Sequence, residues 1–260
     1  MIQQYKLRGE ICIGFASIFS FAAVLLLIFV HVGQISTSSV PRGIAMAKMN
    51  VSQYGQTLAQ GLGDPITGLY ASNASAPLQK EAGIRQVYKF GLYSYCGYLN
   101  TTAGTCTNTT IANKYQPYDA LLADMSANYS ALTIYIINGT SSFESQSIAG
   151  HTRSAYYLIL VGTICAFLAL VIGVFKRTLA FLTSACLAII ATAFVLTGAS
   201  LWTSAINSSE SVNGLILNTT DIPLGIEVSS GSGLSLLWAA VGCLFASLIP
   251  YLISCCTFRG

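Results

Sequence analysis

ICIGFASIFSFAAVLLLIFV, from Ile11 to Val30, runs without a single charged side chain. As an α-helix rising 1.5 Å per residue it reaches about 30 Å, the thickness of a bilayer's hydrocarbon core. Three later stretches have the same character: Ser154 to Phe175, the run within Thr178 to Ala205, and Leu234 to Ile253 hold no Asp, Glu, Lys or Arg. With only 8 % charged and 53 % hydrophobic residues, the chain could not cover itself with polar surface as a soluble domain must. A mean hydropathy of +0.64 averages the apolar runs with long polar ones, so spans alternate with aqueous loops. The first run could also serve as a signal peptide behind Lys6 and Arg8. It is longer than the roughly 7 to 15 residues of such a segment, and His31-Val32-Gly33-Gln34 offers no small-x-small cleavage site.

The expected fold is an all-α transmembrane four-helix bundle with a small extracellular domain containing β-structure. The first helix covers residues 11–32, the second 154–175, the third 178–202 and the fourth 233–254. Between them lie an outer domain at 33–153, a tight turn at 176–177 and a second outer loop at 203–232. Lys6 and Arg8 precede the first span, Lys176 and Arg177 fill the turn, and Arg259 follows the fourth span. Positive residues mark cytosolic ends, so segments 1–10 and 255–260 are expected in the cytosol. N-x-S/T sequons test that topology independently, because they are used only in the secretory lumen. They fall at Asn50, Asn73, Asn100, Asn108, Asn128, Asn138, Asn207 and Asn218, all in the two outer segments. A plasma-membrane glycoprotein is the expected product.

Small residues four apart let helix backbones approach closely inside lipid. Ala180, Ser184, Ala188 and Thr192 form such a row, and Gly162 with Ala166, Ala169 with Gly173, and Gly242 with Ala246 form similar pairs. They serve either packing within the bundle or lateral contact with another membrane protein. Pumps and proton-coupled transporters normally place ionisable groups at the midplane, where their cost is several kcal/mol. These spans have none, which argues against transport.

A first loop of roughly 120 residues is too long to be a simple connection and is expected to fold. Val87 to Cys96 is aromatic and partly alternating, which reads as a strand. Ala131 to Ile137 reads as another strand or a buried segment, and Pro117 to Ser130 as a helix. Gly214 to Asn218 and Leu224 to Ser229 read as short strands that could extend the same sheet. Of eight cysteines only Cys96 and Cys106 lie in the outer segments, where oxidation is the rule, so a disulfide is expected around a hairpin at Thr101 to Gly104. Cys12, Cys165, Cys186 and Cys243 read as small hydrophobes within spans. Cys255 and Cys256, at the cytosolic boundary, are either palmitoylation sites or plain thiols.

Catalytic and cofactor chemistry finds no foothold. His31 and His151 have no Cys, Asp or Glu at metal-ligand spacing and read as interfacial anchors, with pH sensing as the sharper alternative. Asp64, Asp119, Asp124 and Glu144 are scattered and read as solvated carboxylates. Phosphate loops, nucleophile elbows and H-E-x-x-H helices are absent, and a net charge of +3 without a basic stripe excludes nucleic acid. No enzyme and no cofactor are expected.

Four spans, a long first outer loop and Gly91-Leu92-Tyr93-Ser94-Tyr95-Cys96, with nine residues before Cys106, resemble the claudin superfamily and its G-L-W-x-x-C signature. Tyr93 stands where Trp is usual, no Trp occurs earlier in the loop, and the loop is long. The nearer likeness is to the fungal claudin-like tetraspans, the Sur-seven/PalI family, whose long glycosylated first loop carries this cysteine pair. The resemblance implies a claudin-like outer domain and a plasma-membrane protein of cortical microdomains (eisosomes), tied to membrane organisation, wall integrity and endocytosis. It equally implies a helper of an ambient-pH sensor. Members with long cytosolic tails signal through them, which is not expected of a chain ending at Gly260. The leading expectation is a membrane organiser whose partners are lipids, other integral membrane proteins or a second copy of itself, and the cell wall. The alternatives are an accessory or trafficking subunit of a pH sensor, transporter or ATPase, and a pore or transporter in its own right.

Overall fold

The computed structural model describes residues 2–99, 102–137, 146–174, 178–217 and 222–257. In chain order the elements are a long helix α1 (Ile2–Val32), a short helix α2 (Ser39–Gly43), strand β1 (Ala47–Asn50), helix α3 (Tyr54–Leu62), strands β2 (Val87–Phe90), β3 (Tyr95–Tyr98) and β4 (Gly104–Cys106), and helices α4 (Pro117–Asp124) and α5 (Ala127–Ile137). Long helices α6 (Gln146–Gly173) and α7 (Thr178–Ser209) follow, then a 3-10 turn (Glu210–Gly214), strands β5 (Ile216–Leu217), β6 (Ile222–Pro223) and β7 (Glu227–Ser230), and the long helix α8 (Ser232–Thr257). Among the described residues four helices are long and apolar enough to cross a membrane, and a small antiparallel sheet is formed mainly by the segment between the first two.

The chain divides into two compact units. One comprises Met1–Val30, Ala155–Ser200 and Ser235–Gly260; the other comprises His31–Ser154 and Leu201–Leu234. The helical unit has small residues inside and large apolar ones outside, the inverse of a soluble bundle. Ala16, Ala169, Ala185 and Ala188 form a buried cluster, whereas Phe15, Ile18, Phe21, Ile164, Phe167 and Ile249 are exposed. That distribution suits a lipid solvent, in which close backbone approach rather than expulsion from water drives helix association. Gly162 and Gly198 show the approach directly: a Cβ on Gly162 would meet Val195 Cγ2 at 2.6 Å, and one on Gly198 would meet Ile159 Cγ1 at 2.6 Å. Ser184, Ala188 and Thr192 are buried with Ala166 and Ala169, and the Ser184 hydroxyl donates to the Ala169 carbonyl at 2.7 Å.

The second unit is built on a five-stranded sheet in the order β4-β3-β2-β1-β7, with every pairing antiparallel. β1 occupies the interior, pairing Ala47 with Phe90 on one side and with Ser230 on the other. A strand from the last connection thus completes a sheet made by the first. The junction requires glycine: Gly231 N donates to Met46 O, Gly233 N donates to Ala45 O, and a Cβ on Gly231 would strike the Ala45 carbonyl oxygen at 2.1 Å. The far edge is closed by a side chain. Asn213 Nδ2 donates to Val228 O (2.8 Å) and Asn213 Oδ1 accepts from Val228 N (2.6 Å), imitating a further strand. Beneath the sheet lies an aromatic core, with Phe90 edge-on to Tyr115 at 5.0 Å and Tyr115 against Trp202 at 5.6 Å.

Several local expectations are corrected. Val87 to Cys96 is two strands rather than one, because Gly91 N donates to Ser94 O and turns the chain at 91–94. Ala131 to Ile137 belongs to helix α5. Its β-branched run suggested extended chain, but Thr133 and Ile137 lie one turn apart on the buried side while Tyr135 is 82 % exposed, and the Thr133 hydroxyl bonds Tyr54 OH at 2.7 Å. Pro117 to Ser130 is helical in two pieces separated at Met125-Ser126. Gly214 closes the 3-10 turn, and the stretch after it supplies only the two-residue β5, which pairs with β6 in a separate two-stranded sheet; only β7 joins the main one. Strand β1 was not anticipated at all.

The close contact at Gly231 yields a graded prediction. Gly231→Ala should lower the stability of the purified protein by more than about 2 kcal/mol, because the carbonyl it strikes is backbone and cannot move aside. Gly43→Ala, where a Cβ meets nothing within 4 Å, should stay within about 0.5 kcal/mol. Thermal unfolding followed by intrinsic fluorescence in detergent measures both.

Candidate functional site

The segment Gly91–Cys96 is used residue by residue. Gly91 lies against the chain just past α1, where a Cβ would meet the Gly33 carbonyl oxygen at 2.5 Å. Leu92 is fully buried, and the Tyr93 hydroxyl is 2.9 Å from His31 Nδ1 near the end of α1. Ser94 Oγ donates to the Gln34 carbonyl, Tyr95 borders a surface cleft, and Cys96 is bonded to Cys106. The tyrosine at the signature's tryptophan position keeps an aromatic ring there and adds a hydroxyl that reaches the histidine.

Gln34 is the receiving side of this contact. It is fully buried and adopts a left-handed backbone with φ 57. Its side-chain nitrogen lies 2.9 to 3.0 Å from the carbonyls of Pro41, Arg42 and Ile44, closing the last turn of α2, while its Oε1 accepts from Tyr98 OH at 3.1 Å. One amide thereby adds hydrogen bonds to carbonyls around a helix end, where Pro41 O also accepts from Gln34 N and Ile44 N. Lys89 adds a bond to Arg42 O and lies over the Tyr98 ring at 5.1 Å.

The Cys96–Cys106 disulfide joins residues directly opposite each other in β3 and β4. Leu99 N donates to Ala103 O and narrows the hairpin, so the covalent loop is short. Closing it removes unfolded-state entropy worth on the order of 3 kcal/mol.

A buried polar group supports the same sheet from the other side. Asp124, at the end of α4, accepts from Tyr88 OH at 2.7 Å and from Gln79 N at 2.5 Å. Arg85, also fully buried, donates to the carbonyls of Gly83 and Ala76, and its own backbone N donates to Tyr88 OH. Burial raises the Asp124 carboxyl above its ordinary value, against the lowering effect of its hydrogen bonds and of the Arg85 charge; burial and the nearby Asp124 charge raise the Tyr88 phenol as well. The sequence reading of Asp124 as solvated is therefore corrected. A lone Asp before a Met-Ser break gave no signal, because its partners lie 36 and 45 positions away.

The other singled-out residues are dispersed. Asn73, Asn108, Asn128 and Asn207 are exposed and Asn50 partly so; Asn100, Asn138, Asn218 and Glu144 lie outside the described residues. Asp64 and Asp119 are exposed, Asp119 accepting from Gln116, and His151 is exposed. Gly173 is buried, Ala180 and Ala246 are partly exposed, and Gly242 has nothing within 4 Å of a Cβ position. Cys165, Cys186 and Cys243 are free thiols, and Cys255 and Cys256 lie within the end of α8. Among the described residues no group of three or more His, Cys, Asp or Glu side chains could hold a metal ion.

The pieces that converge are thus a tetraspan body, a glycine-led motif seated at the exit of the first helix, and a disulfide hairpin behind it. The family model described as SUR7/PalI family matches residues 12–256, nearly the whole chain. The chain belongs to the SUR7/PalI family. Together with the four spanning helices, that membership makes it a multi-pass membrane protein. SUR7/PalI is not a known enzyme family. A search of curated proteins finds no match.

Asp124 supplies a pH prediction. With its folded-state pKa raised, the folded chain takes up a proton before the unfolded one as pH falls, so the carboxyl's contribution to stability grows as pH drops through the raised value and is level above it. From pH 7 to about pH 4 the unfolding temperature of the wild type should rise relative to that of Asp124→Asn. Parallel curves would show that Asp124 does not titrate in this range.

Proposed function

We propose that this SUR7/PalI protein is a non-enzymatic organiser of the plasma membrane, a tetraspan that assembles laterally with copies of itself or with another integral membrane protein and its lipids. Both termini are placed in the cytosol and the disulfide-stapled unit outside, toward the cell wall. The observation that carries the reading is an open face on α8. Trp238, Gly242, Phe245 and Ile249 recur at helical spacing and are exposed, and Gly242 leaves a notch among large side chains. Gly162 and Gly198 are filled by neighbouring side chains of this chain, whereas the Gly242 notch has room for another helix. A charge-free interior suits an assembly role better than conduction. Cortical organisation of the eisosome kind, with its links to wall integrity and endocytosis, is the role this assembly would serve.

Extraction into native nanodiscs followed by mass measurement tests assembly. The expected particle is heavier than one chain, and Gly242→Ile should shift it toward the monomer without changing the unfolding temperature. A lone wild-type monomer, evenly spread in the cell membrane, would sink the proposal. Loss of one partner's localisation on deletion, with membrane patches intact, would replace it by the accessory-subunit reading.

Topology has its own check. Asn73, Asn108, Asn128 and Asn207 are accessible to the glycosylation machinery and belong to the unit placed outside. Glycosidase treatment should lower the apparent mass, and peptide mapping should find glycans on that unit alone. A protease reaching the two connections from opposite faces of the bilayer contradicts the arrangement.

A further inference from the structure

Lys48 and Lys89 stand directly opposite each other on the neighbouring strands β1 and β2, and so share one face of the sheet. Like charges in that register repel and weaken the pairing. Arg42, in the last turn of α2, joins them: the Lys89 amine donates to the Arg42 carbonyl at 3.0 Å. Burial lowers the Lys89 amine below its ordinary value, and the Lys48 and Arg42 charges lower it further. Among the described residues no carboxylate pairs with any of the three. The strands of this sheet carry one carboxylate, Glu227, and it lies opposite Asn50, whereas Lys48 lies opposite Ser229. An anion from outside the chain would offset the repulsion, and an ammonium bonded to one carbonyl keeps two more donors for it.

The cluster's place in the chain says what that anion is attached to. Ser229, the partner of Lys48, comes three residues before α8 begins at Ser232, a separation of at most about 10 Å in extended chain. α2 is bonded to both helix exits. Gln34, two residues beyond the end of α1, reaches the Arg42 carbonyl at 3.0 Å, and the Ser232 hydroxyl donates to the Gly43 carbonyl at 2.6 Å. The spans Gly14–Val32 and Ser232–Pro250 are bounded at these same exits. Residues that follow a spanning helix out of the hydrocarbon enter a headgroup layer about 5–7 Å deep. Arg42, Lys48 and Lys89 therefore stand within about one Debye length of the headgroup phosphates.

The same segment supplies an apolar half to this surface. Ile35 and Val40, on either side of the start of α2, are 39 % and 53 % exposed. Basic residues beside exposed aliphatic ones are the pattern of segments that lie in a bilayer interface. A soluble anion would meet the cations and leave the aliphatic pair in water; a lipid satisfies both.

We propose that Arg42, Lys48 and Lys89 form a site for the phosphate of an anionic lipid headgroup in the leaflet beside the sheet, with Ile35 and Val40 against its acyl chains. The site names the class of lipid that a membrane organiser would gather, and it rests on that reading only for the helix exits lying at the bilayer surface. Lateral assembly is not required, and particle mass tests it separately.

The experiment uses the full chain in neutral maltoside micelles, titrated with phosphatidylinositol, phosphatidylcholine and the soluble headgroup glycerophosphoinositol, with bound molecules counted by native mass spectrometry. Phosphatidylinositol should bind at least about fivefold more tightly than phosphatidylcholine, and high salt should weaken it. Lys48→Gln should cost about fivefold, the share of one cation near an anionic surface. Lys176→Gln, in the segment between α6 and α7, should change the affinity less than about twofold. In lipid-free micelles Lys48→Gln should keep or raise the unfolding temperature, because there the amine meets only like charge; lost binding is then not lost folding. The proposal is overturned by equal affinity for the two lipids, by unchanged affinity or a lowered unfolding temperature in Lys48→Gln, or by an equal loss in Lys176→Gln. Glycerophosphoinositol binding as tightly as the lipid would also overturn it and assign the cations to a soluble phosphate. If Lys48→Gln lowers the particle mass in nanodiscs while lipid affinity stays the same, the face joins protein copies and the lipid assignment falls.

Discussion

One buried amide at the end of the first helix holds the second unit's beginning together. Gln34 turns the chain in a left-handed conformation and satisfies three carbonyls around the end of α2. Its own oxygens receive Tyr98 from β3 and Ser94 from the turn before it. Unpaired polar groups in a buried place cost about 1–3 kcal/mol each, so the satisfied cluster strongly favours one position for the sheet against the helix exit. Gly91, Leu92 and Tyr93 occupy that position, and the first residue of the motif must lack a Cβ to do so. The motif is in this sense a docking element between a helix end and a strand, with the disulfide hairpin as its backing.

The same logic explains why the two connections form one sheet. β1 follows the short helix α2 by three residues, β7 precedes the last helix by one, and they pair along their whole length. Two chain segments separated by most of the sequence are thus tied by backbone hydrogen bonds through Ala45, Met46, Gly231 and Gly233. Asp124 and Arg85 secure the long intervening segment, whose regular structure is sparse, by bonding backbone groups at Gln79, Gly83 and Ala76.

What the sequence made legible follows from the range of each interaction. Spans are written locally, since twenty apolar residues need no partner to be recognised. Cys96 and Cys106 were legible because the apolar runs claimed every other cysteine or left it at the chain's end. The Gly91–Cys96 motif carried the family resemblance, yet its aromatic run concealed the turn at 91–94, which the bond from Gly91 N to Ser94 O closes. β1 was hidden for a different reason: Ala47-Lys48-Met49-Asn50 is a weak strand by propensity and is made one by neighbours on both sides. Helix α5 shows the converse, a β-branched run held helical by Thr133 and its bond to Tyr54. Asp124 and Tyr95 carry polar atoms whose meaning depends on burial, which no local pattern encodes.

Sheets in crowded surroundings carry a hazard, since an open rim recruits the rim of the next molecule. Asn213 forestalls this at Val228, turning its amide into a counterfeit peptide group that leaves nothing there for a neighbour to grasp. At the opposite rim the strand is three residues long and ends in a covalent knot at Cys106. At these two strands the sheet therefore offers no long open rim along which one molecule could be stitched to the next into a filament.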